Sequence, residues 1–130
     1  MSKIHIQFTR FSAFYSPLIS TMSGGFLQAE GLESEWSVAQ GGTAIDALVD
    51  GSAHVVQSAL SQGLLALARG VTPPAVHFAQ INEMDGFFLT ARQPDPNFTW
   101  DKLEGADVLV DHGGQPLAMF KYACHKAGKC

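Results

Sequence analysis

Gln40-Gly41-Gly42-Thr43-Ala44-Ile45-Asp46-Ala47-Leu48 is the stretch on which the fold turns. It joins a predicted strand, Leu32 to Val38, to a predicted helix, Thr43 to Asp50. Two glycines let the backbone bend tightly and bring bare amide N–H groups close to a guest. Thr43 is placed to cap the helix. The first N–H groups and the positive end of the helix dipole then favour an anion or a polar oxygen. The plain alternative is a turn that only reverses the chain and caps a helix.

Outward from this turn, the same unit recurs. Lys3 to Thr9 reads as a first strand, with Ile4, Ile6 and Phe8 on one side. A loop with Phe11, Phe14 and Tyr15 leads to a helix beginning at Ser16-Pro17, Ser as cap and Pro at the first helical position. Gly24-Gly25 weakens that helix, and a last turn, Phe26 to Glu30, ends at Gly31. After the central turn come a short strand, Ala53 to Gln57, and a helix, Ser58 to Ala68, with Leu60, Leu64, Leu65 and Leu67 apolar. Pro73-Pro74 leads into a strand, Ala75 to Ile81. Strands alternating with helices over short connections predict an α/β fold with a mainly parallel sheet. Ligands of such sheets sit beyond the carboxyl ends of the strands. Beyond Gly86 the pattern predicts a strand at Phe87 to Ala91, a helical turn at Trp100 to Glu104, and a strand at Ala106 to Val110. A second glycine turn, Asp111 to Pro116, then precedes a helix from Leu117 to about Ala127.

Composition narrows the partners. The 130 residues suit one domain, and 46% are hydrophobic against 15% charged, enough for a core. The net charge of −4 and the absence of a basic run speak against nucleic acid and anionic membranes. The start alternates like a strand and lacks a secretory leader's apolar stretch. The expectation is a cytoplasmic chain as written, or a periplasmic one whose leader has been removed. No apolar run approaches a membrane span, so no membrane insertion is expected. Cys124 and Cys130 are spaced neither for an easy disulfide along a helix nor as zinc ligands.

Several runs resemble one family. These are Tyr15-Ser16-Pro17-Leu18, Gly25-Phe26, Glu30-Gly31-Leu32, Gly41-Gly42-Thr43 with Ala47-Leu48 and Gly51, Ala68-Arg69-Gly70, and Trp100-Asp101-Lys102-Leu103-Glu104-Gly105. In this order and spacing they resemble the nitrate/sulfonate/taurine/thiamine-precursor group of ABC-transporter substrate-binding proteins, periplasmic binding protein type II. The likeness runs over nearly the whole chain. It implies a three-layer lobe, residues 1–86, and the beginning of a second, residues 87–130. It also implies a chain shortened relative to the family's two complete lobes. Self-association through uncovered sheet or lobe surfaces is then expected.

The resemblance implies capture of a small anionic or heteroaromatic solute, delivery to an ABC permease, and no cofactor. The expected ligand contacts lie at the strand ends. Phe14 and Tyr15 would form an aromatic wall, and Ser16 would donate or cap. Gly41, Gly42 and Thr43 would offer donors. Gln57 and Ser58 would close the third strand, and Glu83 would select an amine or ring N–H. From the second lobe, His112, Gly113, Gly114 and Gln115 would add donors. His5, His54 and His77 lack metal-ligand spacing and read as core or surface residues. No catalytic or metal-binding residue is expected.

Two other classes remain open. One branch of the family builds the thiamine pyrimidine from pyridoxal phosphate and a histidine of its own chain. Its cysteine-rich iron segment is missing here. A sensor domain of a transcription factor would share the fold, but no helix-turn-helix segment is present. No GxSxG, Walker loop, GxGxxG or HExxH occurs.

Overall fold

A computed structural model describes residues 1–41, 45–84, 86–111 and 114–129. The chain falls into two compact units, Met1–Met84 and Asp85–Cys130.

The first unit is α/β and is built on a three-stranded sheet. Strands β1 (Ser2–Phe8), β2 (Leu32–Val38) and β3 (Val55–Gln57) lie in the order β2-β1-β3, and both pairings are parallel. Such a sheet is consistent with part of a periplasmic-binding-protein-like lobe. Registers fix its two faces, because paired residues of parallel strands point the same way. Ile4, Ile6 and Phe8 pair with Ser34, Trp36 and Val38, and form the apolar face. Lys3, His5 and Gln7 pair with Glu33, Glu35 and Ser37, and form a polar one. Phe8, fully buried, and Ile6 mark the core beneath the apolar face, with Ala47 and Ala53 buried elsewhere in the unit. On the polar face, His5 and Ser37 side chains meet at 2.8 Å, and Lys3 pairs with Glu35 at 2.7 Å. The His5 backbone N–H donates to Nδ1 of His54 at 2.9 Å, so both histidines have structural work.

Helices α1 (Ser16–Ser23) and α2 (Phe26–Ala29) connect β1 to β2. Their joint explains Gly24-Gly25. A Cβ on Gly24 would sit 2.7 Å from the Phe26 ring and from the Ser20 carbonyl oxygen. Gly25 has φ 77°, a left-handed conformation that a side chain disfavours. The pair is therefore a corner between two helices rather than a weakness in one. Helix α3 (Asp46–Val49) connects β2 to β3, and α4 (Ser61–Ala68) follows β3.

Several expectations need correction here. Helix α3 starts at Asp46 after Ile45, not at Thr43, and is one turn long. Thr43 and Gly42 lie outside the described residues, so the expected cap and cradle lie outside them too. Helix α4 starts at Ser61, and its leucines at 60, 64, 65 and 67 are exposed. Its buried position is Gly63, which approaches the His77 ring. Helix α4 does not pack closely enough on any strand to cover that leucine row. The strand expected at Ala75 to Ile81 is absent: the segment joins no ladder among the described residues.

In the second unit, the strands expected at Phe87 to Ala91 and Ala106 to Val110 are likewise absent among the described residues. Apolar segments of this kind become strands only when a neighbour completes their hydrogen bonds. What orders the unit is local. Asp95 accepts from the Asn97 N–H at 3.0 Å and from Lys102 Nζ at 2.6 Å. The Lys102 hydrogen bond holds the Asp95 carboxyl below its ordinary value. A 3-10 turn (Trp100–Leu103) follows, with Phe98 and Trp100 rings 6.0 Å apart. Helix α5 (Gly114–Lys126) begins earlier than Leu117, and Lys129 forms an ion pair with Asp101.

Candidate functional site

The connections leaving β1 and β2 run to opposite sides of β1, because the strand order is β2-β1-β3. In parallel sheets the crevice opens where neighbouring connections diverge, at the carboxyl ends of the strands. Here that place is the end of β1 beside the end of β3.

The end of β1 is held from three directions. The Ala39 N–H donates to the Phe8 carbonyl at 2.9 Å, tying in the end of β2. The Gln57 side-chain oxygen accepts from the Thr9 N–H at 3.3 Å and from the Thr9 hydroxyl at 2.8 Å, tying in the end of β3. The Tyr15 ring lies 6.3 Å from the Phe8 ring, tying in the loop after β1. Gln57 is a buried polar residue, 8% exposed. A buried amide must be hydrogen-bonded to be tolerated, and Thr9 meets that need.

Each expected contact residue has a definite position. Phe14 and Tyr15 sit in a 3-10 turn (Ala13–Tyr15) capped by the Ser12 side chain, their rings 5.5 Å apart. The Phe14 carbonyl accepts from Asn82 Nδ2 at 2.8 Å, which moors the 80–84 segment to this loop. Ser16 opens α1 but does not cap it: Tyr15 occupies the cap position, and the Ser16 hydroxyl donates to the Ala13 carbonyl, closing the preceding turn. Gly41 is exposed, with φ 155°. Gly42 and Thr43 are not described. Ser58 is half-buried and follows Gln57 directly. Glu83 is exposed, next to moored Asn82. His112 and Gly113 lie outside the described residues. Gly114 and Gln115 open α5 in the second unit. Within the first unit, Tyr15 and Gln57 are thus linked to neighbouring residues at the end of β1.

Two hollows flank this arrangement. One, about 340 Å³, is lined by Ile45, Leu48, Val56, Ser58, His77 and neighbours. The other, about 280 Å³, lies under α1 between Phe8, Phe11, Ile19, Met22 and Trp36. Phe11 and Trp36 stack there with centroids 5.0 Å apart. Among the described residues no group of three or more metal-ligating side chains stands together. No helix among them is long and apolar enough to cross a membrane.

The sequence does not mark Thr9 or Asn82, yet Thr9 holds Gln57 and Asn82 holds the loop after β1. Thr9 had one usable signal: a hydroxyl residue directly after an apolar strand, at the edge where a parallel sheet binds. Asn82 had none, since its partner is a backbone carbonyl 68 residues away.

This is an α/β unit with Thr9, Gln57 and Ser58 at the carboxyl end of a parallel sheet. The chain is a distant homologue of a Bacillus subtilis (strain 168) protein named "Putative binding protein YtlA". The two are 30% identical over 128 residues, which is 97% of this chain and 38% of that protein. The chain thus spans well under half the length of the curated relative it matches. No family model and no solved structure matches it.

Proposed function

We propose that this chain is a solute-binding component of an ABC importer that captures a small anionic or heteroaromatic molecule without chemistry. One observation carries the proposal: the loop after β1 and the end of β3 are both anchored at the end of β1, with buried Gln57 at the junction. Convergent polar groups and an adjacent aromatic wall are what a small-molecule site needs. The relative named as a binding protein supports the same class. Tyr15 and Phe14 supply the wall, and Gln57, Ser58 and residues 41–43 supply donors. Glu83, beside Asn82, selects solutes bearing an amine or ring N–H.

The handover partner is an ABC permease. We also propose that the chain associates with itself: among the described residues nothing pairs with the outer edge of β2, and Leu64, Leu65, Phe78 and Phe88 are exposed. Open edges and apolar surface of this kind invite pairing. Light scattering checks this part, and a clean monomer refutes it.

Isothermal calorimetry with nitrate, taurine, an alkanesulfonate and an aminopyrimidine tests binding. At least one should bind and raise the melting temperature. If all four leave the melting temperature unchanged and release no heat, the chain does not capture such solutes.

A further inference from the structure

We propose that Thr9 and Gln57 form a locked pair that sets the polarity of the site: Thr9 occupies the carboxamide oxygen of Gln57, leaving its N–H groups as oriented donors for a solute's acceptor oxygen. The solute group recognised is then a hydrogen-bond acceptor, and an anionic oxygen is the strongest of these. The inference rests on the solute-binding function and adds to it the group that is recognised and the residue that positions it.

A backbone N–H can only donate. The Thr9 N–H lies 3.3 Å from Gln57 Oε1, and the Thr9 hydroxyl lies 2.8 Å from the same oxygen. Turning the carboxamide over would set an NH2 group against that N–H, donor against donor. Chemistry therefore fixes which end is oxygen, which shape alone does not. Two donors also fill both lone pairs of the carbonyl. Nothing is left on the Gln57 carboxamide to accept a hydrogen bond, whereas Nε2 has no partner among the described residues. No buried side-chain nitrogen or oxygen among them lacks a partner. Nε2 must therefore meet solvent, although Gln57 as a whole is only 8% exposed. The head group lies at the carboxyl edge, because its anchor, Thr9, is the first residue beyond β1. A fixed donor in a largely dry setting binds an anionic oxygen more strongly than a mobile surface amide does.

The shape-conserving variant Gln57→Glu inverts this polarity. One carboxylate oxygen still serves Thr9, and the other repels an anion. Thr9→Val removes the hydroxyl, keeps the backbone N–H, and loosens the pair.

Two measurements on the full chain test the proposal. In the free protein, nuclear Overhauser spectra should show no strong cross-peak between the Thr9 amide proton and the Gln57 side-chain NH2 protons. A strong one means that the carboxamide is reversed, and overturns the proposal. Titrations with methanesulfonate, nitrate and, as a donor-only probe, methylammonium should show the two anions binding. Gln57→Glu should weaken them about tenfold or more, and Thr9→Val about threefold. Equal anion affinity in wild type and either variant overturns the lock. Binding of methylammonium without the anions leaves solute capture standing and sinks the lock alone. Failure of every probe to bind the wild type refutes solute capture and the lock together.

Discussion

The two units were written in the same sequence language and folded to different degrees. Residues 1–84 contain three apolar strand patterns that pair with one another. Ile6 and Phe8 lie buried where β1 meets both neighbours. Residues 86–111 contain two patterns of equal apolarity, Phe87 to Ala91 and Ala106 to Val110, that join no ladder among the described residues. There Phe88 is 86% exposed, and Leu109 is 101% exposed. Apolar alternation thus states what a segment can become, and a neighbour at 4.7–4.9 Å or so decides whether it does.

The sharpest way to break the comparison is to remove one phenylalanine from each unit. Phe8→Ala should cost the first unit about 3–5 kcal/mol, measured by urea unfolding, since it empties the centre of its core. Phe88→Ala should stay within about 0.5 kcal/mol. Equal losses would mean that the second unit has a core of its own.

Hydrogen exchange sharpens the same contrast without mutation. The amides of Ile6 and Phe8, on a strand paired on both sides, should exchange more than about a hundredfold slower than those at 88–90 and 107–109. Similar rates in the two sets would contradict it.

The parallel direction of β1, β2 and β3 was legible because each strand is short, bounded and followed by a helix in the same unit; their order in the sheet was not. The boundaries of β2 match the pattern to the residue. The strand at 75–81 was not legible as a loop, since Ala75 to Ile81 has every local property of a strand and lacks only a partner. Helix α4 misled differently. Its leucines mark an apolar face, but no strand packs closely against it and they stay exposed. At the candidate site, the place of Gln57 at the end of β3 was readable and its bonding was not. Gln57 stood out as an amide at a strand end. What holds it is Thr9, 48 residues earlier, and no spacing rule predicts that bond. Ser16 shows the reverse: Ser-Pro before an apolar run spells a helix cap, yet its hydroxyl turns back to Ala13.

Gln57 also separates stability from binding at the junction of the strands. Gln57→Leu leaves the Thr9 N–H facing an apolar side chain. It should cost about 1–2 kcal/mol in urea unfolding, the cost of leaving a half-buried donor unpaired. Ser58→Ala, next along the chain, loses only a 3.5 Å contact to Ala59 and should change stability by less than about 0.5 kcal/mol. A harmless Gln57→Leu would show that water satisfies Thr9 as well as the carboxamide does.

The polar face of the sheet should give the smallest effect, and its sign is fixed by the Lys3–Glu35 pair. The hydrogen bond from Lys3, and then its charge, hold the Glu35 carboxyl below its ordinary value of 4.5. The same bond, and the charge of Glu35, hold Lys3 above 10.5. A lowered carboxyl lends stability above its unfolded value and loses it as pH falls through the folded one. A raised ammonium lends stability below its unfolded value and loses it as pH rises through the folded one. The pair's contribution is therefore constant across neutral pH and disappears at both extremes. Because both side chains stand in solvent, water and salt screen the attraction. Lys3→Met should flatten the acid limb of a plot of melting temperature against pH, with a shift near neutrality too small to separate from scatter. Adding salt to about 1 M should flatten the wild-type limb in the same way. A large loss at neutral pH would show instead that Lys3 anchors the sheet through its aliphatic stem, making the polar face a packed layer rather than a solvated one.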